Sequence, residues 1–134
     1  MKAHQERTLE EIATTVVDCG YKLHVEAGPG LLESVYETVL AKMLEDRGLK
    51  AERQVPIPIE LMGLSFDEGF RADLLVNNTF IVELKSVEKL RPVHSKQLLT
   101  YLKLKKSSLG LLINFGSATF KEGVKRIAND HAIE

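Results

Sequence analysis

The sequence predicts an α/β domain: a central mixed β-sheet flanked by helices, with a helical pair at the N-terminal end. Two segments carry apolar residues at helical spacing and are separated by Gly28-Pro29-Gly30. Between Ala51 and Val87 the texture changes to short β-branched, aliphatic and aromatic runs punctuated by turn residues. Helical spacing then returns once, and the apolar run LGLLINFG that follows reads as a buried strand.

The elements follow in order. Leu9, Ile12, Ala13, Val16, Val17, Gly20 and Leu23 form the stripe of a first helix, which the Gly-Pro-Gly sequence ends. Leu32, Val35, Tyr36, Val39, Leu40, Met43 and Leu44 form a second, denser stripe that stops near Gly48, so two antiparallel helices joined by a turn are expected. ERQVPIPIEL, LSFDEGFRADLLV and TFIVELKSV read as three strands divided at Met62-Gly63 and Asn77-Asn78. Pro56 and Pro58 confine the first of these to a sheet edge or an irregular strand, because proline donates no ladder hydrogen bond. A helix is expected from about Pro92 to Lys106 with Leu98, Leu99 and Leu102 inward, while the tail TFKEGVKRIAND fits helix or strand equally.

A chain of 134 residues is one domain's worth, so residues 1–134 are expected to form a single domain with a real core. The single Cys19 excludes an intramolecular disulfide framework and any cysteine-based zinc cluster, and its helical position suits a small core residue. No apolar stretch approaches the roughly 18 residues of a membrane span, and MKAHQERTLEE lacks the apolar core of a signal peptide, so a cytoplasmic, non-membrane protein is expected. A net charge of -1 restricts any nucleic-acid contact to a local patch.

The strand FIVELKSV is where chemistry enters. Alternation puts Glu83 and Lys85 on one face, where they form either a weak surface pair or part of a metal site. Upstream, FRADLLV places a lone acid, Asp73, on the preceding strand across a turn. Two carboxylates on neighbouring strands can hold a hard cation such as Mg2+ or Mn2+ and leave positions for water and a phosphate oxygen. Lys85 would then orient the attacking water and offset charge developing on the phosphate. Parity adds a condition, since facing residues of an antiparallel pair have residue numbers with a constant sum. A two-residue turn at Asn77-Asn78 gives an odd sum and sends Asp73 and Glu83 to opposite faces. A three-residue turn, or a bulge, is therefore expected.

The arrangement of Asp73 and then Glu83-Leu84-Lys85 resembles the signature of the PD-(D/E)XK nuclease superfamily, with Ala72 where the nominal motif has proline. Gln97 and Tyr101, one helical turn apart, resemble the additional Q-x-x-x-Y motif of its RecB-like branch. Gly30, Glu33 and Tyr36 match the pattern that names the GxxExxY family, assigned to the same superfamily. The likeness runs from about Leu9 to Ile127 and implies a restriction-endonuclease-like core and a metal-dependent nuclease. It implies metal ligation by Asp73 and Glu83 with Glu33 as third ligand or orienter of one, and an active-site role for Gln97 and Tyr101 in orienting substrate or Lys85. Glu33 also falls within the inward arc of its helix by periodicity, although an acid that early in a helix also suits the helix dipole. His24 falls inward too, where a core histidine is the simpler expectation.

Between Lys85 and Lys106 there are seven Lys or Arg against one acid, Glu88. Lys89, Arg91, Lys96 and Lys105 are the expected phosphate-backbone contacts. The expected partner is nucleic acid, with DNA favoured, and a second copy or a protein partner remains compatible. The competing expectation is a nucleic-acid-binding or scaffolding module on the same fold that cuts nothing.

Overall fold

The computed structural model describes residues 7–131. The chain runs α1 (Leu9–Ala27), α2 (Glu33–Asp46), β1 (Ala51–Leu61), β2 (Leu64–Val76), β3 (Phe80–Lys85), α3 (Pro92–Lys105), β4 (Leu109–Asn114), α4 (Phe120–Gly123) and β5 (Val124–Ala128). The ambiguous tail is therefore both things, one helical turn and then an edge strand. The sheet order is β1-β2-β3-β4-β5, and only β3 and β4 pair in parallel. A parallel pair cannot be joined by a tight turn, so α3 serves as the crossover.

The helical pair is fixed at its ends by local chemistry. Thr8 caps α1 through a reciprocal pair: its hydroxyl accepts from Glu11 N at 3.1 Å, and its own N–H donates to the Glu11 carboxylate at 2.9 Å. Between the helices, the Tyr36 hydroxyl donates to Gly28 O at 2.6 Å and accepts from Leu31 N at 3.1 Å. Its ring stacks on Phe115 at 4.5 Å between centroids. Gly30 has φ 111°, a conformation that strains any side-chain-bearing residue. Gly30 and Tyr36, the outer members of the G-x-x-E-x-x-Y pattern, thus shape and pin the interhelical loop.

Two cores sit on the two faces of the sheet. On one, α1 and α2 cover Leu74, Val76, Phe80, Val82, Leu84, Leu111 and Ile113. On the other, α3 covers Leu75, Ile81 and Leu112 with Leu98 and Leu102. Leu99 is only half-buried, and Val35 and Val39, expected inward, are exposed because α2 buries the narrower stripe of Tyr36, Leu40, Ala41 and Leu44. Between Ile57 and Ile59 the β1–β2 register shifts, and the hairpin stays paired to its end in a two-residue turn, Met62-Gly63, both at positive φ, with Met62 93% exposed. No helix among the described residues is long and apolar enough to cross a membrane.

Candidate active site

The turn between β2 and β3 holds three residues. The pairs Leu74↔Val82, Leu75↔Ile81 and Val76↔Phe80 have a constant, even sum, as shared use of Asp73 and Glu83 requires. Asn77 and Asn78 take the left-handed conformations, φ 50° and 63°, and Thr79 N closes the turn on Val76 O at 3.1 Å. In this register Asp73 faces Glu83, yet the backbone ladder stops at Leu74 and Val82. The strands fork there, and side chains replace the missing bonds. The Asp73 carboxylate accepts from Leu84 N at 2.8 Å, and the Asp73 N–H in turn serves the Glu83 carboxylate.

The fork coincides with a rotation of the strands. Leu74 and Val76 face the α1/α2 core, but Ala72 and Phe70, which alternation would put beside them, face the α3 core. On β1 the same change separates Ala51 from Val55 and Ile57. It falls at Gln54 and Asp73, the pair skipped between Arg53↔Leu74 and Val55↔Ala72, where Gln54 has φ 50°. Asp73 therefore leaves the strict in-and-out alternation and lies at the mouth of the fork.

Glu83 is 7% exposed, and its Oε1 has no hydrogen-bond partner. Burial, and then the charge and side-chain hydrogen bond of Asp73, push its carboxyl up to about 9, while the Asp73 N–H and the Lys85 charge pull the other way. A carboxyl so placed holds a proton at neutral pH in the absence of a cation. Lys85 follows, half-buried, at the end of β3, where its carbonyl accepts from Phe115 N at 2.9 Å. Tyr101 on α3 stacks flat on Phe70, 4.0 Å between centroids. Burial and the charges of Glu83 and Asp73 raise the pKa of its hydroxyl, which therefore stays a donor.

Other expected residues fall less centrally. Glu33 is the first residue of α2 and exposed, contrary to the inward orientation expected from periodicity. It stands in the first turn, ahead of the buried stripe that begins at Tyr36, and the loop before it meets the end of β3, where Ser86 Oγ donates to Leu31 O at 2.8 Å. The acid of α2 that turns inward is Glu37, one turn later and 5% exposed. It accepts from Arg53 Nε at 3.1 Å and from Gln54 Nε2 at 2.8 Å, and the same Gln54 nitrogen reaches Asp73 Oδ1 at 3.2 Å. Among the described residues no group of three His, Cys, Asp or Glu is placed to hold a metal ion, so the fork presents two carboxylates.

Gln97 is exposed one turn before Tyr101. Lys89, Arg91 and Lys96 lie on the loop and first turns that follow β3, on the side of Lys85; Lys89 and Arg91 are exposed there. Lys105 lies toward the opposite end, because a crossover helix must return: Ser107, two residues on, donates to Thr79 O at the far turn, 3.2 Å. The basic run is thus spread along α3 rather than gathered at the acids. His24 is a core residue, its Nε2 2.9 Å from Ser117 O.

Asn114, Gln54 and Glu37 are hydrogen-bonded polar residues that sequence patterns did not single out. Asn114 had a visible signal, a polar residue in the apolar run LGLLINFG. Glu37 shares a helix face with Glu33 at i, i+4, so its presence on that face was readable but its burial was not.

None of the curated proteins matches this chain. Among solved structures, the crystal structure of SSO0001 is similar over 92% of this chain and 75% of that one, at 19% identity and a TM-score of 0.41. A family model matches residues 10–127, which takes in both helices of the pair, the fork and the crossover. By that match the chain belongs to the PD-(D/E)XK nuclease superfamily.

Proposed function

We propose that this chain is a Mg2+- or Mn2+-dependent nuclease that hydrolyses phosphodiester bonds of nucleic acid, with Asp73 and Glu83 as metal ligands. The carrying observation is the orphaned Oε1 of a buried glutamate beside a second carboxylate. A buried oxygen without a partner is costly in a native fold and invites a ligand. The donor set fits a hard divalent cation: two carboxylates supply anionic oxygens at a fork, where water and phosphate could complete the coordination. When bound, such an ion supplies Lewis acidity toward a phosphate oxygen and lowers the pKa of water.

The chain's own residues do the rest. Lys85, on the open side of Glu83, orients the attacking water and offsets phosphate charge. Tyr101, held flat by Phe70 and kept protonated, donates to substrate or fixes the lysine, and Gln97 extends that contact along α3. Lys89, Arg91 and Lys96 meet the phosphate backbone near the site, and Lys105 extends the track away from it. Glu33 supports the site at its rim by negative charge. The G-x-x-E-x-x-Y pattern supports a place in the GxxExxY family.

The test is incubation with a panel of single- and double-stranded DNA and RNA and Mg2+ or Mn2+. Cleavage is expected, and Asp73→Ala, Glu83→Ala and Lys85→Ala should each remove it. An intact panel, with DNA bound equally well without metal, would establish the binding-module alternative instead.

A further inference from the structure

Gln54 is a long polar residue in a left-handed backbone conformation inside a strand, φ 50°. Apart from glycine, asparagine and aspartate, residues seldom occupy this region without an enclosing reason. Here the conformation lets one side-chain nitrogen donate to two acids, Glu37 Oε2 at 2.8 Å and Asp73 Oδ1 at 3.2 Å. Glu37 is itself fixed, buried on α2 and bound by Arg53 Nε at 3.1 Å. The far oxygen of Asp73 is held by Leu84 N at 2.8 Å. The amide orientation follows from chemistry, because the flipped amide would set its oxygen against two carboxylates.

We propose that Gln54 is a positioning residue, which ties the Asp73 carboxylate to the buried Glu37 of α2 and so presets its orientation at the mouth of the fork. The proposal rests on the metal-site reading of Asp73 and Glu83. A neutral amide suits this position because it bridges two negative groups without adding a positive charge, whereas lysine or arginine here would neutralise Asp73 and compete with a cation. It also accounts for the strained backbone at the one β1 position opposite Asp73, and for a buried acid on a helix whose face otherwise serves the core. Partners that orient a ligand typically change metal affinity roughly 10- to 100-fold when removed.

Gln54→Gly separates the alternatives, because glycine accepts this φ without strain while deleting the amide. Positioning predicts a fold retained by circular dichroism, with Mn2+ affinity by calorimetry weakened roughly tenfold or more. Gln54→Met, which keeps the side-chain length and neutrality but loses the donor, should weaken Mn2+ binding to a similar degree. Unchanged affinity in Gln54→Gly would overturn the proposal. A second reading needs no metal: in 15N-labelled protein the Gln54 side-chain NH2 signal should move on Asp73→Ala and on Glu37→Gln. A signal indifferent to both substitutions overturns the bridge. Should wild type bind no Mn2+, the metal reading falls, and the amide signal alone then decides whether Gln54 holds Asp73.

Discussion

Asn114 and Glu83 are buried polar side chains on neighbouring parallel strands, and they are treated in opposite ways. Asn114 is 0% exposed and uses its full capacity: Nδ2 donates to Val87 O at 2.8 Å and Ser117 Oγ at 3.0 Å, while Oδ1 accepts from Val87 N at 2.9 Å and Gly116 N at 3.1 Å. It staples the loop after Lys85 to the end of β4, and Gly116 lies so close that an added Cβ would stand 2.2 Å from Val87 O. Glu83, almost as deep, keeps one oxygen without a partner and is forced toward its neutral form by its surroundings. A fully satisfied group holds structure; an unsatisfied one beside a second acid is the feature on which the metal-site proposal rests.

Substitution should expose that contrast. The largest effect is on catalysis, where Glu83→Gln should lower metal-dependent cleavage on the order of 10³-fold, the several kcal/mol that a correctly held ion supplies. Its metal-free unfolding midpoint in urea should stay level or rise, since a buried acid crowded by Asp73 is replaced by a neutral amide. Asn114→Ala should do the reverse to stability, costing about 3–5 kcal/mol in urea unfolding, because it strands backbone groups of Val87 and Gly116. Equal destabilisation by both substitutions would erase the distinction.

Next in size is the pH dependence of the metal-free protein. The Glu83 carboxyl titrates at an ordinary 4.5 when unfolded and about 9 when folded, so the folded state binds its proton more tightly. The resulting stability is complete below 4.5 and is lost as pH rises through 9. Thermal melts across that window should fall with pH in wild type and flatten in Glu83→Gln. Glu10 acts in the opposite sense: held near 2 by Arg126 and then His131, it contributes above 4.5 and fades as pH falls toward 2. The smallest effect is Tyr101→Phe. The stack on Phe70 survives, so unfolding should move by less than about 0.5 kcal/mol, while loss of the donor lowers cleavage.

The helical pair, the hairpin and the crossover were readable because each is written in local periodicity and turn chemistry. The even register was readable from parity, once Asp73 and Glu83 were required to meet. Glu33 was misdirected because periodicity gives a helix an inward arc but not where along the helix burial begins; the buried stripe starts at Tyr36 and Glu37. Gln54 was illegible for a similar reason. In RQVPIP it is one polar residue in a strand close to proline, and only the opposing Asp73, 19 positions away, gives its backbone conformation a purpose. The spread of the basic run along α3 follows from the crossover, a long-range consequence of sheet order that charge counting along the chain does not contain.

The central claim, that the Asp73–Glu83 fork is a divalent-metal site, is tested most directly by calorimetric titration of Mn2+ and Mg2+ into wild type, Glu83→Gln and Asp73→Ala without nucleic acid. Saturable binding of one ion by wild type, lost in both variants while their folds persist by circular dichroism, is the predicted result. Wild type that takes up no ion, or variants that bind it as wild type does, would contradict the claim.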